Sequence, residues 1–476
     1  MAEEEKQSVL DRMIQSFTGW VGRRIDALAK PGKPHGYFDA WVEWIGDWGV
    51  SRGLALIVIY VLLFSAASSL VPALPVLVWS WIFATAPIWI PVASIIALTR
   101  IWMWYVNTQY LATRKPVLLD IRMPREVTKS PRAMETALSQ FYTTSNETTF
   151  IMRWWEGKMR PWFSFELASF GGDVHFYLWC WREYKNVLET QLYAQYPEIE
   201  IHEAEDYASR FVYDPSVYEV WGNQYAYDKR SDGRDPAPYP IRSYIDLELD
   251  KDPKEEFKVD PLAQVIEVFS SLKGSEMAWM QILIRANKES ETGFQKLVKA
   301  EVEHIRKEAS IQPTGEHLEP GEEARRGFPH PTWRQTEQIR ALERHASKKT
   351  FTVGIRTLYA AKHEEFSGTT RSAIRWVFLP FNSDHLNGLR PGKWHNDFDY
   401  PWQDFRNIRW RRQARRFFDA YRRRSYFYTP WITPFFIMST EALATIYHPP
   451  SRTIAAPGLQ RIPSTKAEPP PNLPLR

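Results

Sequence analysis

The sequence predicts an α+β protein, in which an N-terminal transmembrane helical hairpin is followed by two tandem ferredoxin-like (βαββαβ) domains, the second with a helical insertion. Three observations lead to this prediction. No Asp, Glu, Lys, Arg or His occurs between Arg52 and Arg100. Beyond that stretch, short segments alternate apolar and charged residues as strands do. Finally, Ser130-Pro131 and Asp260-Pro261 each stand between a predicted strand and a predicted helix, which indicates an internal duplication.

The composition leaves room for several folded units and excludes some classes of protein. The chain has 476 residues, of which 44% are hydrophobic and 24% charged. That is enough for roughly two or three domains besides a membrane segment. The net charge of +4 is too small to mark the whole chain as a nucleic-acid-binding protein. With a single cysteine, Cys180, the chain can form neither an internal disulfide nor a cysteine-based metal site.

The charge-free stretch is long enough for two transmembrane helices within a membrane region at residues 51–110. Roughly 20 apolar residues span a bilayer core, so residues 53–70 and 77–98 are the candidate spans. Residues 71–75 form the turn, and Pro87 and Pro91 are expected to kink the second span. Because both flanks are basic, the positive-inside rule places both ends in the cytoplasm. A single span, or a buried hairpin of a soluble protein, is the alternative. The flanking basic residues are Arg23, Arg24, Lys30, Lys33 and Arg52 on one side, and Arg100, Arg114 and Lys115 on the other.

Residues 1–50 precede the first span and are predicted to be an amphipathic helical region. Apolar residues at helical spacing in residues 8–28, and a second apolar segment at residues 38–45, predict two helices. These helices lie either on the membrane surface or against the protein's own soluble part.

The first ferredoxin-like domain is predicted at residues 111–215. Its helices begin at Ser130-Pro131, with serine as the N-cap and proline in the first turn, and at Glu183. Gly171-Gly172 is expected to form a hairpin turn. The order β-α-β-β-α-β is that of the ferredoxin-like fold. The four predicted strands are residues 116–123, 162–168, 174–179 and 198–204.

The second domain, at residues 240–385, repeats this order. One helix is expected to begin at Asp260-Pro261, again a capping residue followed by proline, and another at residues 369–378. Two further helices, at 294–307 and 332–348, surround a loop at 312–331 and form the helical insertion. The predicted strands are residues 244–249, 277–286 and 351–360.

The sequence lacks the motifs of the common nucleotide-binding and hydrolytic sites. No G-x-x-x-x-G-K-[ST], G-x-G-x-x-G, G-x-S-x-G or H-E-x-x-H occurs. We therefore expect a protein that is not an enzyme and has no cofactor; the weaker alternative is an enzyme with an unrecognised site. His395, Asp397 and Asp399 come closest to a metal-ligand cluster. Their Trp- and Pro-rich surroundings favour a surface role instead.

Residues 406–424, within an Arg-rich helical region at 400–448, give the strongest local signal. Helical spacing gathers Trp410, Ala414, Phe417, Phe418 and Tyr421 on one face and leaves arginines around the rest. The planar guanidinium group suits phosphate, so the partner is anionic lipid or nucleic acid. The alternative is a solvated helix that pairs with acidic protein surface. The candidate contact residues are Arg406, Arg409, Arg411, Arg412, Arg415, Arg416, Arg422, Arg423 and Arg424.

The C-terminal part is predicted to be a short helix followed by a docking tail. Residues 439–447 form the helix, which ends at His448-Pro449-Pro450. The Pro-rich tail, residues 449–476, is expected to be an extended segment that meets a partner protein supplied in trans.

Several segments together carry a family resemblance: residues 123–126 (MPRE), 129–135 (KSPRAME), 165–169 (FELAS), 171–172 (GG), 175–177 (HFY), 189–197 (ETQLYAQYP) and 439–449 (STEALATIYHP). With these segments the chain resembles an uncharacterised bacterial family with an N-terminal membrane segment. Members of this family look like the N-terminal, non-ATPase part of conjugation and type IV secretion ATPases of the HerA/FtsK class. In longer relatives, a P-loop ATPase domain follows a helix like residues 439–450 and a tail like residues 468–474. The resemblance covers roughly residues 110–475.

The resemblance implies a role in a secretion or conjugation-like translocation system. No position of this chain matches a Walker motif, so no ATPase residue carries over. We therefore expect an adaptor or scaffold that tethers a separately encoded P-loop ATPase at the cytoplasmic membrane, with its soluble domains in the cytoplasm. The alternative is a membrane-bound protein that guides DNA along its Arg-rich helix. The expected partners are the lipid membrane, the ATPase in trans, DNA under the alternative, and further copies of the chain in a homo-oligomer.

Overall fold

The computed structural model describes residues 52–124, 127, 129–145, 147, 149–230, 232–251, 259–310, 330–392, 404–450 and 458–459, with side chains from residue 57 onward. The predicted helices within residues 1–50, the loop at 312–331, the cluster of His395, Asp397 and Asp399, and the Pro-rich tail lie outside the described residues, apart from a few at the edges of the loop and the tail. The chain divides into two compact units. One is Met1–Thr85 with Trp431–Pro434, and the other is Ala86–Pro430 with Phe435–Arg476.

The apolar stretch forms two helices, α1 (Arg52–Leu70) and α2 (Leu74–Thr113). The chain turns between them at residues 71–73, as predicted, and Pro75 falls in the first turn of α2, where proline is tolerated. α2 extends past the predicted span and continues through Pro87 and Pro91 to Thr113. At 1.5 Å per residue, its 40 residues measure about 60 Å.

Among the described residues, α2 is the one helix long and apolar enough to cross a membrane. The apolar part of α1 from Ile57 to Leu70 is shorter. The apolar side chains of α2 are exposed along most of its length, and its buried residues are Val106 and Tyr110. One long apolar helix with an uncovered surface is compatible with a membrane anchor.

The remaining part is a mixed α+β structure. Its helices are α3 (Pro131–Gln140), α4 (Phe150–Trp154), α5 (Lys185–Gln195), α6 (Tyr207–Arg210), α7 (Pro261–Ser270), α8 (Glu289–Thr292), α9 (Phe294–Ser310), α10 (Trp333–Ser347), α11 (Gly368–Arg375), α12 (Ile408–Arg422) and α13 (Thr440–Ile446). Its strands are β1 (Pro116–Arg122), β2 (Trp162–Phe170), β3 (Asp173–Trp181), β4 (Glu200–Ala204), β5 (Tyr218–Tyr227), β6 (Met277–Ala286), β7 (Thr350–Lys362), β8 (Leu389–Gly392) and β9 (Phe436–Ser439).

The nine strands in the described ranges all belong to one large antiparallel sheet. The order is β4-β1-β3-β2-β6-β7-β5-β8, and β9 pairs with the beginning of β7. The central pair, β2 and β6, runs in unbroken register from Trp162 opposite Arg285 to Phe170 opposite Met277. The two halves of the sheet are therefore continuous through their backbone hydrogen bonds.

The two faces of the sheet are covered differently. On one face, the apolar sides of α3, α5, α7, α11 and α13 form the larger core with the strands. On the other face, Trp and Tyr side chains of the strands pack against α12 and the segment after it. α9 and α10 form a separate helical hairpin with its own small core.

Most predicted elements are present with shifted ends. Ser130 and Asp260 are the N-caps of α3 and α7, each followed by proline. Thr332 forms a complete capping box with Gln335 at the start of α10. Ser439 caps α13 by accepting a hydrogen bond from the Ala442 amide.

The predicted strand at residues 244–249 is wrong. These residues form consecutive turns, in which the Leu249 amide donates to the Tyr244 carbonyl. The Tyr244 amide donates to the Thr445 hydroxyl at 2.9 Å, so α13 and not a neighbouring strand satisfies it. The apolar alternation arises because Tyr244 and Leu249 enter the core from a turn. The strand that pairs with β7 and β8 is β5, which was not among the strands predicted from the sequence.

Candidate functional site

α12 is the predicted arginine helix, and it is shorter than the arginine stretch. It begins at Ile408, after a 3₁₀ turn (Phe405–Asn407), and ends at Arg422. As predicted, Ala414, Phe417, Phe418 and Tyr421 are buried, whereas Trp410 is half-buried. The apolar face packs on the aromatic side of the sheet, so one face of α12 remains for other contacts.

Asp404 fixes the beginning of α12. This buried carboxylate accepts hydrogen bonds from the backbone amides of Arg409 and Trp410, each at 2.8 Å. The first amides of a helix lack partners within the helix, and a carboxylate there also interacts favourably with the helix dipole. Asp404 therefore stabilises the start of α12.

Arg424 fixes the end of α12 by ion pairs beneath the helix. Its guanidinium group donates to both carboxylate oxygens of Glu166, at 3.0 Å each. It also donates to both oxygens of Asp206, at 2.7 and 2.8 Å. The side chains of Arg424 and Glu166 are 1% and 0% exposed. Burial alone lowers the pKa of Arg424, but the two carboxylates more than offset this and raise it well above its usual range.

A row of polar side chains crosses the sheet under α12. Glu166 on β2 lies opposite Gln281 on β6, which lies opposite Arg356 on β7. Gln281 donates to Glu166 at 2.9 Å and accepts from Arg356 at 2.8 Å. Tyr207 donates to the second Glu166 oxygen at 2.7 Å. Each buried polar group of the row thus has a partner, as burial requires.

Arg356 connects this row to the end of α12. It donates to the carbonyl oxygens of Ala420 at 2.9 Å and Ser425 at 3.1 Å. Cationic groups at a helix C-terminus satisfy its last carbonyls and suit its dipole. Burial lowers the pKa of Arg356 to about 10, so it stays charged at neutral pH. Arg356 and Arg424 together position the end of α12 on the sheet.

The outer face of α12 carries the exposed arginines. Arg411, Arg412 and Arg415 are exposed, and among the described residues no carboxylate lies within ion-pair distance of them. Arg422 and Arg423 are exposed and pair with Asp419 at 3.6 and 2.8 Å. This surface can attract anionic groups.

The other predicted arginines lie elsewhere. Arg406 precedes α12 in the 3₁₀ turn and is exposed, and Arg416 is half-buried. Arg409 and Arg424 are buried, at 6% and 1% exposure. The structure thus brings Arg411, Arg412 and Arg415 together on one surface and places Arg409 and Arg424 away from it.

The end of α2 is fixed to the sheet next to the end of α12. Arg114 forms an ion pair with Glu183, and its guanidinium group lies 4.3 Å from the centre of the Tyr110 ring. The Tyr110 ring in turn meets the Trp181 ring edge-on. A cavity of about 190 Å³ there is lined by Arg114, Arg423 and the aromatic rings of Trp162, Trp179, Trp181, Tyr426, Phe427 and Tyr428.

No group of three or more His, Cys, Asp or Glu side chains suited to a metal ion occurs in the part of the chain that the structure describes. The polar row was not predicted from the sequence. A signal for it exists, because the mostly apolar strands β2, β6 and β7 each have a charged or amide side chain near the middle: Glu166, Gln281 and Arg356. A polar side chain in a strand that is buried on both faces needs a partner.

The family comparison covers this whole arrangement. Residues 113–461 match the family described as Domain of unknown function (DUF8128). No curated protein matches the chain. The matched segment begins at the last residue of α2 and contains the complete sheet, the polar row and the arginine helix. On this match over most of its length, the chain belongs to the DUF8128 family.

Proposed function

We propose that this protein is a scaffold anchored in the cytoplasmic membrane, which holds a separately encoded P-loop ATPase of a type IV secretion or conjugation-like system. The observation that carries the proposal is the junction between α2 and the sheet. α2 ends at Thr113 and β1 begins at Pro116, and Tyr110 and Arg114 fix this junction to the sheet. A long apolar helix joined so closely to a large domain is suited to hold that domain at a defined position.

The proposal includes a tandem ferredoxin-like architecture for the soluble part. In the first half, strands β1 to β4 lie in the order 4-1-3-2. In the second half, β5, β6, β7 and β8 lie in the order β8-β5-β7-β6, which is the same order. α7 connects the first two strands of that half, α11 the last two, and α8, α9 and α10 lie between β6 and β7 as the insertion. This order supports two βαββαβ units joined through their second strands.

Co-purification tests the scaffold. The full chain, tagged and solubilised from cross-linked native membranes, is expected to retain a P-loop ATPase that mass spectrometry identifies. The purified chain alone is expected to release no phosphate from ATP. Recovery of the chain without any nucleotide-binding partner, after verified cross-linking, contradicts the proposal.

Nucleic acid is the second candidate partner, and the exposed arginines Arg411, Arg412 and Arg415 favour it. Contacts with phosphate groups make binding depend on salt. On double-stranded DNA, the logarithm of the binding constant falls against the logarithm of the salt concentration with a slope of about −0.9 per contacted phosphate. If the three side chains contact DNA, replacing them with alanine weakens binding and makes the slope shallower.

A matched control removes the same charge elsewhere. Lys296, Lys299 and Lys307 are exposed on α9, so their replacement with alanine lowers the net charge equally without touching α12. The nucleic-acid candidate requires that only the arginine variant loses DNA. If both variants retain DNA as well as the unaltered chain, this candidate is wrong.

A further inference from the structure

A small apolar surface lies beside α2 on the short helix α4 and on Trp155, the residue that follows it. Its three large side chains, Phe150, Ile151 and Trp155, are 69%, 62% and 68% exposed. Phe150 also stacks on Trp154, with ring centres 5.6 Å apart. We call these three exposed residues the aromatic foot. Large apolar side chains grouped on a surface indicate an interaction site.

The aromatic foot is held directly against α2. The Trp102 indole donates a hydrogen bond to the Trp154 carbonyl at 2.6 Å, and the Trp102 and Trp155 ring centres are 5.6 Å apart. Gly157 follows with a positive φ of +60°, and a methyl group there would overlap the Val106 carbonyl. The segment that carries the foot is thus packed against α2 through Trp154, Trp155 and Gly157, which fixes the position of the foot along the helix.

That position is the end of the apolar part of α2. Arg100 is the first charged residue after Arg52, and Trp102 lies about 3 Å further along the helix axis. Trp104 and Tyr105 are more than half exposed, and the first buried residue of α2 is Val106. Tryptophan and tyrosine are enriched where a transmembrane helix leaves the hydrocarbon core. The foot therefore lies at the level of this aromatic belt.

The composition of the foot suits a lipid surface. Phe and Trp side chains favour the boundary between head groups and acyl chains, and neighbouring basic residues favour anionic lipids. Arg153 is exposed on α4 between the foot residues. Trp155 of the foot contacts Trp102, which lies on the exposed apolar part of α2, so the foot adjoins that apolar surface.

We propose that the aromatic foot inserts into the lipid head-group region of the leaflet in which α2 ends. This proposal rests on α2 being the membrane anchor of the proposed scaffold. The foot gives the sheet a second attachment point next to the first, which limits its tilt and rotation about α2. Lipid, and not a partner protein, covers Phe150, Ile151 and Trp155.

Depth-dependent fluorescence quenching tests the foot in the full chain. Ile151→Cys is labelled with a polarity-sensitive fluorophore and reconstituted in vesicles of phosphatidylcholine and phosphatidylglycerol. Cys180 can stay in place, because its side chain is fully buried and burial raises the pKa of its thiol to about 12, which prevents labelling at neutral pH.

The matched control is Ser271→Cys, an exposed residue shortly before β6. β6 starts at Met277, opposite Phe170 at the far end of β2 from Trp162. The control therefore lies about 26 Å along the sheet from the end at which α2 arrives. A second labelled variant, Trp155→Cys, guards against a local effect of the label at residue 151.

Lipids with a nitroxide high on the acyl chain are expected to quench most of the fluorescence at residues 151 and 155, and very little at residue 271. Iodide, which quenches from the water, is expected to quench residue 271 strongly and residues 151 and 155 very little. Equal quenching by iodide at all three sites overturns the proposal, and so does protection of residue 151 from both quenchers, which indicates a protein partner. The quenching experiment does not involve the ATPase, so it tests the foot alone. The co-purification tests whether the chain holds an ATPase, and the two proposals can therefore fail independently in this respect.

Discussion

At Arg424, an unfavourable backbone conformation is combined with favourable ion pairs of the side chain. Arg424 lies two residues after Arg422, the last residue of α12, and has a φ of +48°, a conformation in which helices usually place glycine. Left-handed backbone costs about 1–2 kcal/mol for an L-residue with a side chain. The arginine is nevertheless favourable here, because its side chain is the partner of two carboxylates, Glu166 and Asp206.

Replacing Arg424 with glycine separates these two effects. Arg424→Gly relieves the backbone but leaves Glu166 buried without its cation, which typically costs about 3–5 kcal/mol. We expect thermal unfolding of the solubilised chain at a clearly lower temperature. The neighbouring Arg423→Gly is the control, since Arg423 is exposed and pairs only with Asp419 among the described residues. Equal stability of the two variants contradicts the importance of the ion pairs.

A second buried pair responds to pH. His448 and Asp260 are 2.9 Å apart, with side chains 4% and 7% exposed. Burial lowers the pKa of His448, but Asp260 more than offsets this and raises it above 6.5. Burial raises the pKa of Asp260, but His448 and the Leu262 amide bring it below 3.8. The pair therefore ties the end of α13 to the start of α7.

The stabilisation from this pair has a defined pH range. The His448 contribution is fully present below 6.5 and is lost as the pH rises through its raised folded value. The Asp260 contribution is present above 3.8 and is lost as the pH falls through its lowered folded value. We expect His448→Gln to destabilise the chain most between pH 3.8 and pH 6.5, and less at alkaline pH. Denaturation curves across that range check this, and a pH-independent difference contradicts it.

At the scale of elements, α12 fits the sheet because two strands have glycine beneath aromatic rings. The Phe417 ring of α12 lies against Gly222 of β5, where a methyl group would overlap it. The Tyr426 ring lies in the same way against Gly354 of β7. Close approach of a ring to a strand backbone requires the missing side chain.

Gly222→Ala is expected to move α12 away from the sheet. Overpacking of a core typically costs about 1–3 kcal/mol, and Phe417 cannot shift easily, because it is itself buried. The expected result is faster amide hydrogen exchange in residues 414–422. Gly368→Ala on α11 is the control, because a methyl group there meets nothing within 4 Å. Unchanged protection of α12 in Gly222→Ala contradicts the packing argument.

At the scale of the whole molecule, the junction of α2 with the sheet fixes the position of the end of this helix on the domain. Gly157 and Gly293 share a φ of +60°, but only Gly157 contacts α2. Alanine at Gly293 meets open space and is expected to cost only the backbone strain, about 1–2 kcal/mol.

Gly157→Ala is therefore expected to be more disruptive than Gly293→Ala, and in a different place. Its methyl group overlaps Val106, so exchange in residues 103–110 should increase while the sheet stays protected. Hydrogen exchange of the reconstituted full chain measures this. Equal protection of α2 in the two variants contradicts a direct role of Gly157 in the junction.

Local patterns in the sequence were enough for most elements. The long apolar run predicted α1 and α2, and capping residues followed by proline predicted the starts of α3 and α7. The apolar face of α12 was likewise predictable from helical spacing. These features depend on residues within one or two turns of each other. The error at residues 244–249 came from the same rule, because alternation alone does not distinguish a strand from turns that place side chains in a core.

What the sequence by itself determined is therefore the long apolar helical segment, the α+β composition and the arginine-rich helix. Only the tertiary structure decided that both halves share one sheet, since β2 and β6 are more than a hundred residues apart in the chain. It also decided which arginines are buried: Arg424 lies beneath the helix with Glu166, whereas Arg423 is exposed. The physical reason is that adjacent arginines have the same local pattern, and only distant carboxylates make burial of one of them favourable.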